Sequence, residues 1–248
     1  FSTWATIGLV IALGVWALAA DVAENHSSQH QVHMKARLRH LRTDIKRAST
    51  RTAFWVHFST MSPSTVMLLL WGVPFLQQGQ GLPRSVALSI LSSFVLMGIG
   101  FGMFYGWLCG RHPNKRKLAM GIGAALMLTG WVSVIVWPGQ APLWLLGAWA
   151  MATSANASAS MIAFDYTREF APKRALGSIN GFVNIGGFVA SFSMMFVIGL
   201  VLDLFFETAG RAAGLELYSL AGFKVALWVV PIVIVVGHWR YRVNESKI

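Results

Sequence analysis

The sequence is poor in acid and almost without sulfur nucleophiles. Of 248 residues only 9 are Asp or Glu, against 20 Lys or Arg, and Cys109 is the single cysteine. One cysteine excludes an intrachain disulfide and any metal site built on cysteine, and its place in an apolar run reads as packing. Charge of either sign is scarce, 12%, where a soluble domain carries about 25%. No His-Glu-x-x-His, His-x-x-x-x-Asp or paired carboxylate run occurs, which argues against a membrane-embedded enzyme, since such chemistry needs a nucleophile, a base or a metal near the interface. A basic leader is lacking too: the chain begins at Phe1, inside an apolar run. A start at Phe rather than Met leads us to expect a fragment or a processed chain. What is abundant is apolar surface, 55% hydrophobic residues with a mean hydropathy of +0.58. The composition is that of an integral membrane protein.

A hydrocarbon core needs roughly 20 apolar residues per helix. Seven runs qualify: residues 1–20, 52–76, 86–108, 118–137, 143–164, 176–206 and 220–239. The expected class is therefore all-α, a polytopic transmembrane helix bundle of about seven spans. Its expected units are a lone helix over 1–21, a basic linker over 22–51 and a six-helix bundle over 52–248. The linker, the turns at 110–117 and 167–174, and the tail after Trp239 hold 17 of the 20 Lys and Arg, and the alternate connections hold only Arg84, Arg211 and Lys224. By the positive-inside rule the first group is cytoplasmic. That accounts for the net charge of +11 without nucleic acid. Lys224, near the end of its run, can snorkel.

In the linker, Met34, Leu38, Leu41 and Ile45 recur at helical spacing among Lys35, Arg37, Arg39, Arg42, Lys46 and Arg47. This pattern suits a basic amphipathic helix lying on anionic lipid or bridging two bundles. His26, His30 and His33 share one helical face, where solvated histidines and a metal site with Glu24 are the two readings.

Residues 165–191 combine a charged turn, broken by Pro172, with an apolar helix whose polar residues are in phase. At about 100° per residue, Asn180, Asn184, Gly187 and Ser191 form one stripe, flanked by Gly177 and Gly181. Small residues on such a stripe serve close helix approach, and amides serve a cavity. One helix can do both. We expect Asn184 to face a cavity and Gly181 to pack.

Two motifs carry a resemblance. Gly106-Trp107-Leu108-Cys109-Gly110-Arg111-His112-Pro113-Asn114-Lys115-Arg116-Lys117 is similar to the Gly-x-x-x-Asp-Arg-x-Gly-Arg-Arg signature of the major facilitator superfamily. Gly110 stands where that signature is acidic, and Pro113 replaces its second glycine. Arg168-Glu169-x-x-Pro172, followed by Gly177, Gly181, Asn184, Gly186 and Gly187, resembles the tenth-loop and eleventh-helix pattern of bacterial facilitators and the glycine- and asparagine-rich signature of nitrate and nitrite porters. The layout resembles the C-terminal portion of such a transporter, with run 1–20 as its sixth helix and the others as its seventh to twelfth.

The resemblance implies an MFS-like C-terminal six-helix domain and secondary transport of a small polar or anionic solute by alternating access, as symporter or antiporter. The implied partners are the solute, membrane lipid and the N-terminal half of the same transporter, without nucleic acid and without cofactor, in a bacterial inner membrane. A non-transporting binding or scaffold remnant is the alternative reading.

Substrate contacts in such a protein lie near the bilayer midplane between the halves, where polar side chains default to function. The candidates are His57, Thr60, Ser64 and Trp71, on one face of a run containing Pro63, then Ser154, Asn156 and Ser158, and Asn180 with Asn184. Ser160 shares the face of Asn156, and Ser89, Ser92 and Ser93 are weaker candidates because serine bonds its own helix. His57, with a reference pKa of about 6.5, is either an interfacial structural histidine or a ligand for substrate or proton. Asp165, Asp203 and Glu207 fall at run ends. Arg111, Asp165, Arg168 and Glu169 are candidates for a cytoplasmic gate. The topology is checked by cysteine labelling: sites in residues 21–51 should react only with reagents that reach the cytoplasm, and sites near Gln78 or Ala212 from outside. Labelling of both sets from one face overturns the assignment.

Overall fold

The computed structural model describes residues 2–18 and 34–248. The chain divides into two compact units, Phe1–Arg39 and His40–Ile248, with the boundary inside a helix. In the first unit, α1 (Ser2–Leu18) carries no charged residue. The boundary falls in α2 (Met34–Ile45), which forms where the linker periodicity predicts a helix. Glu24, His26, His30 and His33 lie outside the described residues.

The second unit runs through α3 (Ala48–Gly79), α4 (Arg84–Arg111), α5 (Pro113–Val136), α6 (Leu143–Ser158), α7 (Ile162–Phe170), α8 (Lys173–Gly210) and α9 (Leu220–Glu245). All seven apolar runs are helical, but five helices, α3, α4, α5, α8 and α9, are long and apolar enough among the described residues to cross a membrane. This is approximately consistent with the expected seven spans, and the helix of run 143–164 is shortened for a physical reason. Run 143–164 is interrupted by a 3-10 turn at Ala159–Met161, and Thr153, Ser154, Asn156, Ser158 and Ser160 dilute its apolar character. In α1, Ala5–Val15 forms a shorter apolar helix among the described residues.

Helix α3 is the post around which the unit is built, packing on α6, α7, α8 and α9. Its polar residues are buried, among them Thr52, His57, Ser59, Thr60, Ser62 and Ser64. Most of these hydroxyls return to carbonyls of the same helix, Ser59 Oγ to Trp55 at 2.9 Å, Thr60 Oγ1 to Val56 at 2.7 Å and Ser62 Oγ to Phe58 at 2.6 Å, whereas Thr52 Oγ1 is buried without a partner. Such back-bonding satisfies a hydroxyl without a partner on another helix. Pro63 sits within regular helix, and the distortion comes later, as π-helical turns at Met67–Trp71 and Phe75–Gly79. Gly72 lets the first turn form, since a side chain there would run into the Met67 carbonyl.

Neighbouring helices approach α3 through glycine. An ideal Cβ on Gly237 of α9 would lie 2.5 Å from Ser59 Cβ, and one on Gly187 of α8 would lie 2.8 Å from the His57 ring. Away from the basic turns, Trp71, Phe75, Trp131, Trp149 and Phe223 dominate an apolar core. Toward the basic turns a second core is built from smaller or hydroxylated residues, including Ala53, Cys109, Ala163, Tyr166 and Tyr241.

The aromatic-rich end is closed by two side chains that supply hydrogen bonds to irregular backbone. Lys224 Nζ donates to the carbonyls of Trp137 and, at 3.0 Å, Gly139. Gln80 Oε1 accepts the Ala141 N–H at 2.7 Å. The glycine contacts generate a prediction. Gly237→Leu should lower stability by about 1–3 kcal/mol, read as melting temperature and monodisperse yield in detergent. Gly147→Ala, with nothing within 4 Å of the added carbon, should leave both unchanged.

Candidate functional site

His57 is the polar side chain of α3 with a partner on another helix in this region. Its Nε2 lies 3.2 Å from Asn184 Oδ1 of α8. With the amide oxygen facing the ring, Nε2–H donates and Nδ1 keeps its lone pair. The ring is 4% exposed, and buried Nδ1 makes no hydrogen bond, although the Ser160 backbone runs alongside. The Phe164 ring meets the imidazole edge to face at 5.2 Å, and bare Gly187 makes room on the α8 side. Asn184 is exposed within the unit, and its Nδ2 makes no hydrogen bond among the described residues. The pair therefore presents an amide donor outward and a histidine behind it.

The 3-10 turn at Ala159–Met161 lies between two cavities. The first, about 370 Å3, is lined by Ser64, Phe94, Gly98, Ser154, Ser158 and Ser160. The second, about 510 Å3, opens toward the basic turns between Tyr105, Cys109, Arg116, Phe164, Asp165 and Glu169. Gly102 and Met161 line both. In the first cavity three of the four serine hydroxyls are committed: Ser154 Oγ donates to the Phe94 carbonyl at 2.7 Å, Ser158 Oγ to Gly98 at 3.0 Å and Ser64 Oγ to Met61 at 2.9 Å. The Ser154 and Ser158 bonds also dock α6 on α4.

The other sequence candidates are placed separately. Thr60 faces its own helix, as above. Trp71 Nε1 donates to the Met195 carbonyl at 3.0 Å, within the aromatic core. Asn156 is 1% exposed, wedged against Gly123, and its Nδ2 donates to Met127 Sδ at 3.4 Å. Asn180 Oδ1 accepts from Thr167 Oγ1 at 2.6 Å. The wheel stripe is thus split: Gly187 and Ser191 are buried, Asn180 turns to α7 and Asn184 to His57. Gly181 has nothing within 4 Å of an added carbon, so it does not serve close packing within this unit.

At the basic end the charges pair across helices. Arg116 of α5 binds Glu169 of α7, and Lys117 binds Glu245 of α9 at 2.6 Å. Asp165 and Arg168 pair locally at 3.5 Å. Arg111 is exposed and makes no ion pair among the described residues. Arg116, Lys117 and Glu245 are residues that the sequence reading did not single out as partners. So is His238, within α9, whose ring lies 5.4 Å from Tyr241 and whose buried Nδ1 lacks a partner. Thr153 Oγ1, Asn156 Oδ1 and the Trp131 and Trp149 indole nitrogens are likewise buried and unpaired, on helices α5 and α6.

The ion pairs should differ in strength. The Arg116 side chain is 14% exposed and that of Arg168 is 77% exposed. Screening leaves an exposed pair little net effect. Arg116→Met should cost about 1 kcal/mol, and Arg168→Met should leave the melting temperature in detergent unchanged. Equal losses would mean that the cross-helix pair has no special weight.

A family model described as the Major Facilitator Superfamily matches residues 1–195, well over half of the chain. No curated protein and no solved structure matches it. The matched span runs from α1 into α8 and contains His57, Asn184 and both cavities. With five apolar helices of membrane-crossing length, the chain is an integral, multi-pass membrane protein, and it belongs to the Major Facilitator Superfamily.

Proposed function

We propose that this chain is the C-terminal portion of a secondary transporter that moves a small polar or anionic solute by alternating access. The observation that carries the reading is the His57–Asn184 pair. A free amide N–H group beside a buried histidine is costly in lipid, and a solute that accepts hydrogen bonds would offset that cost. The broken helix α6–α7 supports it, since discontinuous helices mark binding sites in transporters, and its turn, which lines both cavities, runs alongside His57 at Ser160. The basic turns are read as cytoplasmic, in a bacterial inner membrane. Solute then enters or leaves by the larger cavity, and Asp165, Arg168, Glu169 and Arg111 belong to the gate on that side. Ser64, Ser154 and Ser158 line the smaller cavity, and Thr60, Trp71, Asn156 and Asn180 contribute through the packing of the helices rather than as solute contacts.

The test is solute uptake by the full-length protein in vesicles, with and without a proton gradient. His57→Gln and Asn184→Ala should each lower uptake about tenfold or more, the scale of one hydrogen bond to a charged group. Folded yield should hold, and His57→Gln should also change the pH dependence. Transport by His57→Gln with unchanged rate and pH profile would make His57 structural and sink the reading.

A further inference from the structure

At the basic end, outside both cavities already described, a groove of about 560 Å3 lies between α5 and the last turns of α9. Its mouth is polar, formed by Asn114, Lys117 and Arg242. Lys117 is neutralised by Glu245 at 2.6 Å. Arg242 makes no side-chain hydrogen bond or ion pair among the described residues, so the mouth retains one uncompensated positive charge. Below the mouth the groove becomes apolar. Gly121 and Ala125, one helical turn apart, form a floor without bulk, and Leu118 and Ile122 form walls. These two side chains are 62% and 52% exposed, on the surface of a helix that crosses the membrane. An added carbon on Gly121 would meet nothing within 4 Å.

We propose that this groove binds one anionic phospholipid, its phosphate at Arg242 with Asn114 and Lys117, its acyl chain laid over Gly121 and Ala125. A guanidinium with no protein partner offers paired donors that match phosphate oxygens. Basic pockets between transmembrane helices recognise anionic headgroups in this way. The apolar floor selects a lipid over a free phosphate, because a soluble anion has no use for a bed of glycine, alanine, leucine and isoleucine. The site is independent of the solute that the protein moves. It ties α5 to α9 at the level where Lys117 and Glu245 already join them.

The experiment is native mass spectrometry of the full-length protein in detergent, titrated with dioleoyl-phosphatidylglycerol or dioleoyl-phosphatidylcholine, with glycerol phosphate as soluble competitor. The expected result is preferential retention of the phosphatidylglycerol. Its affinity should fall about tenfold in Arg242→Gln and be lost in Gly121→Leu, which fills the groove without a clash. Lys173→Gln removes an exposed charge at the same end and should bind as wild type. Equal retention of the two lipids, unchanged binding by Arg242→Gln, or an equal loss in Lys173→Gln would overturn the proposal. Displacement by glycerol phosphate at matching concentration would replace it with a free-phosphate site. Should Gly121→Leu fail to fold, the Arg242→Gln and Lys173→Gln comparison decides alone.

Discussion

A helix buried among other helices in lipid has no water for its polar side chains, and this constraint shapes α3 and everything packed on it. Five of its serine and threonine hydroxyls donate to carbonyls three or four residues back, and those of Thr50 and Thr52 are buried without a partner. The faces that α3 shows its neighbours are therefore nearly apolar despite its composition. With no hydrophobic effect between helices in lipid, close packing supplies the cohesion. Gly237 and Gly187 let α9 and α8 come near enough for it. Histidine cannot use the same device, because its ring nitrogens do not reach back along the helix as a hydroxyl does. His57 thus takes its partner from α8, in a side-chain to side-chain bond that has an uncommitted amide donor behind it.

The two ends of the second unit are built differently. The end away from the basic turns is filled by indole and phenyl rings, with Lys224 and Gln80 tying down the loops. The basic end has smaller core residues, the larger of the two cavities around the broken helix, and charged pairs from α5 to α7 and from α5 to α9. A close-packed aromatic end resists change of shape, since such interiors forfeit contacts with any gap. The half-buried ion pairs hold about 1 kcal/mol each, less than repacking an aromatic core would cost. Rearrangement of this unit is therefore cheaper at the basic end.

Much of this was legible in the sequence, because hydropathy reports helices in lipid directly. All seven apolar runs are helical, and the cations gather where the turns pair them. The polar run in 143–164 was visible as well, though not that it would break into a 3-10 turn. Neighbours were harder. The helical wheel puts Asn180, Asn184, Gly187 and Ser191 on one line, but it gives angles on one helix and says nothing of which helix lies opposite. So Asn180 meets Thr167, Asn184 meets His57, and Gly181 meets nothing in this unit. The motif resemblance led to Arg111, whereas the cross-helix pair uses Arg116. His112 leaves the helical conformation at φ −134° and ψ 67°, and Pro113 starts a new helix, so phase is not carried from one arginine to the other.

Hydrogen-bond commitment sorts the candidate residues more finely than burial or phase does. Thr60, Ser64, Ser154 and Ser158 have given their only proton to a backbone carbonyl, and Trp71 has given its indole N–H to Met195. Recruiting any of them as a donor to a solute would first break a bond that holds a helix or docks one on another. Asn156 retains a free oxygen, but it is sealed between α5 and α6 beside Gly123. Asn184 differs on both counts: one end of its amide is anchored by the His57 ring, and the other is unpaired on an exposed face. An anchored amide has lost its rotational freedom before a ligand arrives, which is the preorganisation that makes a hydrogen bond effective in binding. The buried histidine thus acts first as the support that aims Asn184, and its own Nδ1, with a lone pair and no partner, adds a second polar atom behind the amide.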